Sequence, residues 1–344
     1  MPELSFAVAE EWTRQVEAGA TLGGDVADVA IDDADRVYLL TRHPSGVFVF
    51  EADGRFIASW GHVELSTRPH GITLGLDGMV YCVDEDDHTV RKFTRSGRLV
   101  DMLGISGQPS DTGADSSISD FKTRIGSIAH GGPPFNHPTK LAIAPNGDLY
   151  VSDGYANSRV HRFSATGELL MSWGEPGTAP GQFHVPHSLV VSPGEQLLVA
   201  DRENDRIQLF SLDGRFVDEW IDMRRPSALA IDRSGFVFVT EMASPAGHDS
   251  WVHGRVRDPF PARVSVFDSR GRLQQRFAHG GHPCDAGNLL APHGLAIDSA
   301  GSVYVAEIKQ TALASGSGGI DPAELGERHC HVVHKFRALA GEGA

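Results

Sequence analysis

The sequence predicts an all-β protein, a six-bladed β-propeller in one domain that spans residues 1–344. One unit recurs six times along the chain, with four short apolar runs joined by turns rich in Gly, Asp and Asn, a pattern typical of antiparallel hairpins. A Pro-His pair also opens every second copy. The length of the chain alone would permit two domains, but a radial repeat can accommodate a chain of this length in one domain. The repeat is therefore the stronger evidence for the number of domains.

The third copy shows the repeated unit most clearly. Its strands are predicted at 141–144, 149–153, 159–163 and 169–173, with an Asn-Gly turn after the first. By the same pattern we predict blades at 25–62, 68–104, 137–175, 185–221, 225–278 and 291–337.

The sixth copy ends after residues 332–336 and has no fourth strand of its own. Residues 5–12 form an apolar run that can supply this strand. We therefore predict that the N-terminal strand closes the ring, which removes the exposed edge of an open sheet.

Four long segments depart from the repeat, at 104–137, 243–262, 278–290 and 309–331. They are rich in Gly, Ser, Pro, Asp and His and show little apolar periodicity. We predict loops on the rims of the propeller, where specificity usually resides.

The charge balance of the chain indicates which classes of partner it can bind. The chain has 30 Lys and Arg against 45 Asp and Glu, a formal net charge of −15. This excess of acid argues against binding to nucleic acid or to an anionic membrane surface, so we expect a small-molecule substrate. The sequence makes no prediction about oligomeric state.

The three cysteines are few, odd in number and without a Cys-x-x-Cys pair, which argues against a disulfide framework or a thiolate zinc site. No secretion signal or membrane-spanning run is visible, so a cytoplasmic location is expected.

Three histidines share one position of the repeat. His70, His187 and His293 each follow a proline at the start of the first strand in blades 2, 4 and 6, and the other blades carry a small residue there. Alternate blades of a six-bladed ring lie about 120° apart, so the imidazoles should converge on a metal with an open coordination position. Taken singly, each histidine is better explained as a hydrogen-bonded polar residue at a channel mouth, and it is the shared, symmetrically spaced repeat position that favours the metal. Zinc is the predicted ion, and iron, manganese or cobalt also suit these ligands.

The ends of the second strands lie at the same rim as these histidines, because neighbouring strands run antiparallel. This rim position is occupied by Arg42, Glu85, Arg202 and Glu307, and by Tyr155 just beyond a strand. We predict that Arg202, Glu85 and Glu307 bind substrate.

Several phrases of the sequence carry a resemblance to a known family. They are Val-Ser-Asp-Gly-Tyr at 151–155, Trp-Gly-Glu at 173–175, Val-Pro-His-Ser at 185–188 and Ala-Asp-Arg-Glu-Asn at 200–204. The chain closely resembles the NHL-type six-bladed catalytic domain of peptidyl-α-hydroxyglycine α-amidating lyase (peptidylamidoglycolate lyase), most strongly over 138–210. The resemblance implies that His70, His187 and His293 bind zinc and that Tyr155 and Arg42 are catalytic.

Two positions depart from the family pattern. Ala291 stands where the family has a methionine, and Gly294 stands where it has an acidic residue that helps to hold a structural calcium. These departures argue against the calcium site and against a peptide substrate. We expect a bacterial-type paralogue that kept the metal machinery and changed its substrate.

The resemblance implies cleavage of the C–N bond of a carbinolamide to give an amide and a carbonyl product such as glyoxylate. Zinc would act as a Lewis acid on a substrate oxygen, and Tyr155 would take the hydroxyl proton as general base. Arg42 would hold a carboxylate or stabilise the oxyanion. A loop aromatic packed on the rim is the alternative for Tyr155, and an ion pair with a neighbouring acid is the alternative for Arg42.

Two other functions remain open. A metal-dependent hydrolase or lactonase also uses a six-bladed ring, but its sites favour Glu, Asn and Asp ligands over three histidines. A non-catalytic NHL-repeat interaction platform usually has a basic or aromatic face, which the acidic balance and the histidines disfavour.

Overall fold

In the computed structural model, the chain is described at residues 5–315, 325, 328 and 330–339. The fold is a six-bladed β-propeller of four-stranded antiparallel sheets, and the fold prediction is confirmed. Strands form where β-branched and aromatic residues recur, and glycines at positive φ close the turns between them.

The chain starts with a short strand and a helix, which are β1 (Phe6–Val8) and α1 (Glu10–Gly19). The first four blades then follow one another. Blade 1 consists of β2 (Val26–Ile31), β3 (Val37–Arg42), β4 (Ser45–Phe50) and β5 (Phe56–Trp60). Blade 2 consists of β6 (Pro69–Leu74), β7 (Met79–Asp84), β8 (Thr89–Thr94) and β9 (Leu99–Gly104).

A short helix, α2 (Phe121–Gly126), separates blades 2 and 3. Blade 3 consists of β10 (Pro138–Ile143), β11 (Leu149–Asp153), β12 (Arg159–Phe163) and β13 (Leu169–Trp173). Blade 4 consists of β14 (Pro186–Val191), β15 (Gln196–Asp201), β16 (Arg206–Ser211) and β17 (Phe216–Trp220), with a 3₁₀ turn at Arg202–Asn204.

The last two blades complete the chain. Blade 5 consists of β18 (Pro226–Ile231), β19 (Val237–Glu241), β22 (Arg263–Phe267) and β23 (Leu273–Phe277), and the two-residue strands β20 (Asp249–Ser250) and β21 (Gly254–Arg255) form a hairpin within it. Blade 6 consists of β24 (Pro292–Ile297), β25 (Val303–Glu307), β26 (Val333–Ala338) and β1. Helix α3 (Lys309–Ser315) follows β25.

The chain divides into two compact units, each with its own apolar clusters. The first unit contains Met1–His62, Ala228–His248 and Val256–Ala344, and the second contains Val63–Ser227 and Asp249–Arg255. Blades 1 and 6 and most of blade 5 belong to the first unit, and blades 2, 3 and 4 belong to the second. The prediction of one domain over 1–344 stays a prediction.

The N-terminal strand supplies the missing strand of blade 6, as predicted. In β1, Phe6 pairs with Ala338 and Val8 with Phe336. The prediction that the strand reaches residue 12 is wrong, because α1 begins at Glu10. Trp12 and Val16 are four residues apart, so a helix buries both on one face.

The segments predicted as rim loops contain some regular structure. Helix α2 lies in 104–137, the β20–β21 hairpin lies in 243–262, and α3 occupies the start of 309–331. The prediction of a loop is therefore wrong at Lys309–Ser315, where Lys309 and Ala312 are buried. Much of the rest of 309–331 lies outside the described residues.

Two of the three cysteines form a disulfide, between Cys284 and Cys330. This corrects the expectation drawn from cysteine number, because a separation of 46 residues hides the pairing from the sequence. Stable disulfides are rare in cytosolic proteins, and the cytoplasmic location stays a prediction. Within the part of the chain that is described, no helix is both long and apolar enough to cross a bilayer.

Candidate metal centre

The three repeat histidines stand at irregularities in the first strands of their blades. The register between first and second strands shifts between Pro69 and Gly71, between Pro186 and Ser188, and between Pro292 and Gly294. His70, His187 and His293 are the residues skipped by the pairing. The same shift occurs in blades 1 and 3, so it is a feature of the repeat, and it re-aims whichever side chain stands there.

Each histidine ring is held in the same way by the backbone of the next copy of the repeat. The Nδ1 atoms of His70, His187 and His293 lie 2.6–2.7 Å from the carbonyl oxygens of Thr139, Ser227 and Ala27, respectively. Because a carbonyl only accepts, Nδ1 carries the proton in each ring, and Nε2 keeps its lone pair. All three side chains are buried. This is the arrangement that orients an imidazole for metal binding through Nε2.

The second unit brings His70, His187 and Tyr155 together. The two imidazoles lie 4.6 Å apart between ring centroids and offer ligand nitrogens within 4.8 Å of each other. The Tyr155 hydroxyl lies 2.9 Å from Nε2 of His187 and 3.3 Å from Nε2 of His70. The tyrosine is thus adjacent to any ion that these two nitrogens bind.

The residues just before Tyr155 explain how its side chain comes to lie beside His70 and His187. It follows the end of β11, and a Cβ atom at the preceding Gly154 would lie only 2.5 Å from the carbonyl oxygen of Pro186. Glycine is therefore required for the turn to pack against the strand that carries His187.

Arg202 is brought to the same tyrosine from the 3₁₀ turn after β15. Its Nη1 donates to the Tyr155 hydroxyl at 3.0 Å, and its Nε donates to Glu203 at 2.8 Å. The guanidinium also lies over the rings of Tyr155 and Phe121, 5.2 and 5.4 Å from their centroids. Burial opposes the charge, but Tyr155 and Glu203 raise the pKa of Arg202. Arg202 is thus a permanent cation beside the Tyr155 oxygen.

Two insertions pack over this side of the second unit. Phe121 of α2 lies 6.4 Å from Tyr155 between ring centroids, and Trp251 of the β20–β21 hairpin stacks on His184 at 4.7 Å. Lys122 donates to Asp249 at 2.8 Å and joins the two insertions. The predicted rim loops therefore contribute side chains next to the tyrosine.

Glu85 lies in the second unit just after β7, but it has a partner that the sequence did not reveal. Nη2 of Arg68 lies 3.0 and 3.3 Å from its two carboxylate oxygens. Arg68 stands two residues before the predicted metal ligand His70, and this closeness in sequence was the available signal. Arg68 was not predicted as a site residue because it precedes a first strand instead of ending a second one.

The other predicted site residues belong to the first unit. Arg42 is 2 % exposed, and its Nη1 donates at 3.2 Å to the hydroxyl of Thr311 in α3, which in turn donates to Asp25. His293 is followed by Gly294, where a Cβ atom would lie 2.5 Å from Cα of Asp28. The backbone therefore leaves no room for an acidic side chain at position 294.

Glu307 is buried and engaged by several donors of the first unit. It accepts from the backbone N–H groups of Leu290 and Ala291 at 2.8 Å each, and it pairs with Lys309 at 3.0 Å and His334 at 2.8 Å. Burial opposes ionisation, but Lys309 and His334 outweigh it and lower the pKa of Glu307 to about 2. These contacts hold the segment before His293, and they give no support to the prediction that Glu307 binds substrate.

Comparison with known proteins identifies the same repeat that the sequence pattern predicts. The NHL repeat model matches residues 135–163 and 183–210. The chain is 32% identical over 288 residues to peptidyl-glycine alpha-amidating monooxygenase A of Xenopus laevis, covering 80% of this chain and 26% of that protein. It is 35% identical over 179 residues to peptidyl-alpha-hydroxyglycine alpha-amidating lyase 1 of Drosophila melanogaster, covering 49% of this chain and 30% of that protein.

The chain thus spans less than a third of the length of these two relatives. Among solved structures, virginiamycin B lyase from Staphylococcus aureus matches with a TM-score of 0.58 at 11% identity, covering 98% of this chain and 100% of the other. At this identity the likeness concerns the fold alone.

Proposed function

The chain belongs to the NHL-repeat propeller family that includes the peptidyl-α-hydroxyglycine α-amidating lyases, and we propose that it is a metal-dependent lyase that cleaves the C–N bond of an α-hydroxyglycine-like carbinolamide. The products are an amide and a carbonyl compound such as glyoxylate. The observation that carries the proposal is the Tyr155 hydroxyl, which lies within 3.3 Å of Nε2 in two histidines held by the backbone at Nδ1.

One divalent ion, zinc in the first place, is the proposed cofactor. His70, His187 and His293 would hold it through Nε2, and their shared Nδ1 contact with a backbone carbonyl supports a common role. Three neutral imidazoles leave a coordination position open, as catalytic sites require. The ion would supply Lewis acidity toward a substrate oxygen.

Tyr155 is the proposed general base. Its phenolate oxygen takes the proton of the substrate hydroxyl, the C–O bond becomes a carbonyl, and the C–N bond breaks. The same proton then passes from Tyr155 to the departing amide nitrogen, so the tyrosine ends in its starting state. Arg202 supports this role, because a guanidinium that donates to the Tyr155 oxygen stabilises the phenolate.

Arg42 is proposed to stabilise the oxyanion that develops on the substrate. Its burial supports this role, because a charge acts more strongly on a reacting group where water is excluded. Glu85 and Glu307 remain predicted substrate-binding residues without a defined role in the bond cleavage.

The test uses α-hydroxyhippurate (N-benzoyl-α-hydroxyglycine), whose cleavage gives benzamide and glyoxylate. We expect the purified chain to release both products in equal amounts and to contain about one metal ion per chain. The Tyr155→Phe variant should keep its metal and lose at least about a hundredfold in kcat, which is the usual contribution of a general base. The His187→Ala variant should lose both metal and activity.

Each result bears on a separate part of the proposal. Unchanged turnover in Tyr155→Phe would remove the tyrosine from the reaction, and undiminished metal in His187→Ala would remove that histidine from the ligand set. If the metal-loaded chain releases neither product, the lyase proposal is wrong.

A further inference from the structure

A buried carboxylate, Glu203, lies between two arginines of the second unit and has no role in the function proposed above. Its Oε1 atom accepts from Nε of Arg202 at 2.8 Å and from Nη2 of Arg225 at 3.3 Å. The three side chains are only 2–6% exposed. Because Arg202 also donates to the Tyr155 hydroxyl, these contacts form a continuous path from Arg225 to the proposed general base.

The guanidinium of Arg202 is held by two rings and two acceptors. It lies over the rings of Phe121 and Tyr155, and it donates through Nε to Glu203 and through Nη1 to Tyr155. A guanidinium is planar and rigid, so fixing the direction of its Nε–H bond also fixes the direction of its other donors. Glu203 therefore sets the angle at which Arg202 approaches the tyrosine oxygen.

The backbone that carries Arg202 and Glu203 is anchored to the segment before β14. The N–H of Arg202 donates to the carbonyl of Val185 at 3.1 Å, and the N–H of Glu203 donates to the carbonyl of His184 at 3.0 Å. The start of each side chain is therefore fixed. The direction of the Glu203 carboxylate depends on its side-chain partners, of which Arg225 is the one distant in sequence.

Arg225 stands just before β18, at a place that the repeat defines. Its φ is 38°, and the residues at the same place in blades 3 and 4, His137 and Val185, also have a positive φ. The N–H of Arg225 donates to Oδ1 of Asp205 at 2.7 Å. The repeat thus determines the backbone here, but the arginine is not shared by those two blades. The side chain is therefore a feature of this copy alone among the three.

A purely structural ion pair is the alternative explanation, and blade 4 offers one for comparison. Arg206 is 7% exposed, against 6% for Arg225. The five N–H donors of its guanidinium are used by the carboxylates of Asp201 and Glu219 and by the carbonyls of Thr178, Ala179 and Gln182. Arg206 therefore matches Arg225 in charge and burial, while its donors serve a loop instead of Glu203.

We propose that Glu203, clamped by Arg225, is the positioning residue that keeps the Arg202 guanidinium on the catalytic tyrosine. The proposal rests on the function proposed above. In that reaction the Tyr155 oxygen alternates between phenolate and hydroxyl, so its attraction for Arg202 rises and falls. Glu203 supplies a partner of constant charge, and neither it nor Arg225 exchanges a proton or touches the reacting atoms.

The first measurement is turnover of α-hydroxyhippurate by the zinc-loaded protein. Arg225→Gln should lower kcat about tenfold to a hundredfold, the usual value of a hydrogen bond to a charged group. KM should change by less than about twofold, because Arg225 does not bind the substrate. Arg225→Lys should recover most of the loss, since it keeps the positive charge and a donor for Glu203.

The matched control is Arg206→Gln, which should lower the free energy of unfolding but leave kcat per metal-loaded chain unchanged. Circular dichroism and metal content identify any variant that fails to fold. If Arg225→Gln fails to fold, Glu203→Gln replaces it, because glutamine keeps the shape of the side chain and loses its charge. An unchanged kcat, or a loss in Arg225→Lys as large as in Arg225→Gln, would overturn the proposal.

A double-mutant cycle determines whether Arg225 acts through Arg202. When Arg202→Gln is already present, adding Arg225→Gln should lower kcat no further, because the side chain that it positions is gone. If Arg225→Gln lowers kcat by the same factor with and without Arg202, its effect does not pass through Arg202 and the proposal is wrong.

Nitrogen-15 NMR of the arginine Nε–H groups tests the positioning without turnover. The Arg202 signal is identified by its loss in Arg202→Lys. In the unmodified protein this Nε–H should exchange slowly with water, because it is buried and bonded to Glu203. Its exchange should be at least about tenfold faster in Arg225→Gln and unchanged in Arg206→Gln. Fast exchange in the unmodified protein would contradict the proposal.

The two readouts separate this proposal from the lyase function. If the Arg202 signal responds as expected but the protein releases neither benzamide nor glyoxylate, the lyase function fails and the positioning of Arg202 stands. If the protein cleaves α-hydroxyhippurate while Arg225→Gln changes neither kcat nor the exchange of the Arg202 Nε–H, the positioning fails and the lyase function stands.

Discussion

Replacing Glu307 by glutamine should destabilise the protein more than any surface charge change. The carboxylate is buried and engaged by two backbone N–H groups, Lys309 and His334. Glutamine has a similar shape but no charge, so Lys309 would be left buried without its counter-ion. Removal of one partner from a buried ion pair typically costs about 3–5 kcal/mol.

The shifted pKa gives an independent magnitude for this effect. The pKa of Glu307 falls from an ordinary value of 4.5 to about 2. Since one pKa unit corresponds to about 1.4 kcal/mol, the ionised carboxylate contributes about 3 kcal/mol to the free energy of unfolding. A carboxyl group whose pKa is lowered on folding gives this stability in full above about pH 4.5. The contribution is lost as the pH falls toward about 2.

The assay is urea unfolding of the unmodified protein and of Glu307→Gln, followed by circular dichroism from neutral pH down to about pH 3. We expect the difference in unfolding free energy to be about 3 kcal/mol at neutral pH and to shrink below pH 4.5. The control is Glu219→Gln, which removes a carboxylate that is 37% exposed and paired with Arg206, and it should change stability by less than about 1 kcal/mol. A neutral-pH difference no larger than that of the control would refute this reasoning.

Further predictions concern the insertions and the disulfide. Phe121→Ala should lower kcat/KM for α-hydroxyhippurate roughly threefold to thirtyfold at unchanged metal content, because Arg202 loses one of its two aromatic contacts. If the steady-state kinetics of this variant match those of the unmodified protein, the contact between Arg202 and Phe121 is dispensable. Cys284→Ser should lower the free energy of unfolding by about 2–4 kcal/mol, because the disulfide with Cys330 closes a long loop. Cys82→Ser serves as the control for that denaturation experiment, since Cys82 is not disulfide-bonded, and an equal loss in both variants would contradict the assignment.

The site was only partly predictable from the sequence. The three histidines were found because they share one repeat position, and the Asp-Gly-Tyr phrase drew attention to Tyr155. Arg68 was missed because its partner Glu85 lies at the end of another strand, and the sequence does not say which charged groups meet. Glu307 was predicted to bind substrate, but its contacts with Lys309 and His334 depend on how β25, α3 and β26 pack.

By itself, the sequence determined the number of blades, their strands and the origin of the last strand. These features follow from local apolar runs and turn residues that recur at a regular spacing, so short-range patterns are sufficient to specify them. Tertiary structure alone decided that residues 10–19 become a helix, that Cys284 meets Cys330, and that Arg68 pairs with Glu85. The physical reason is the same in all three cases: the deciding partner is distant in the chain, and its contact exists only after the sheets have packed.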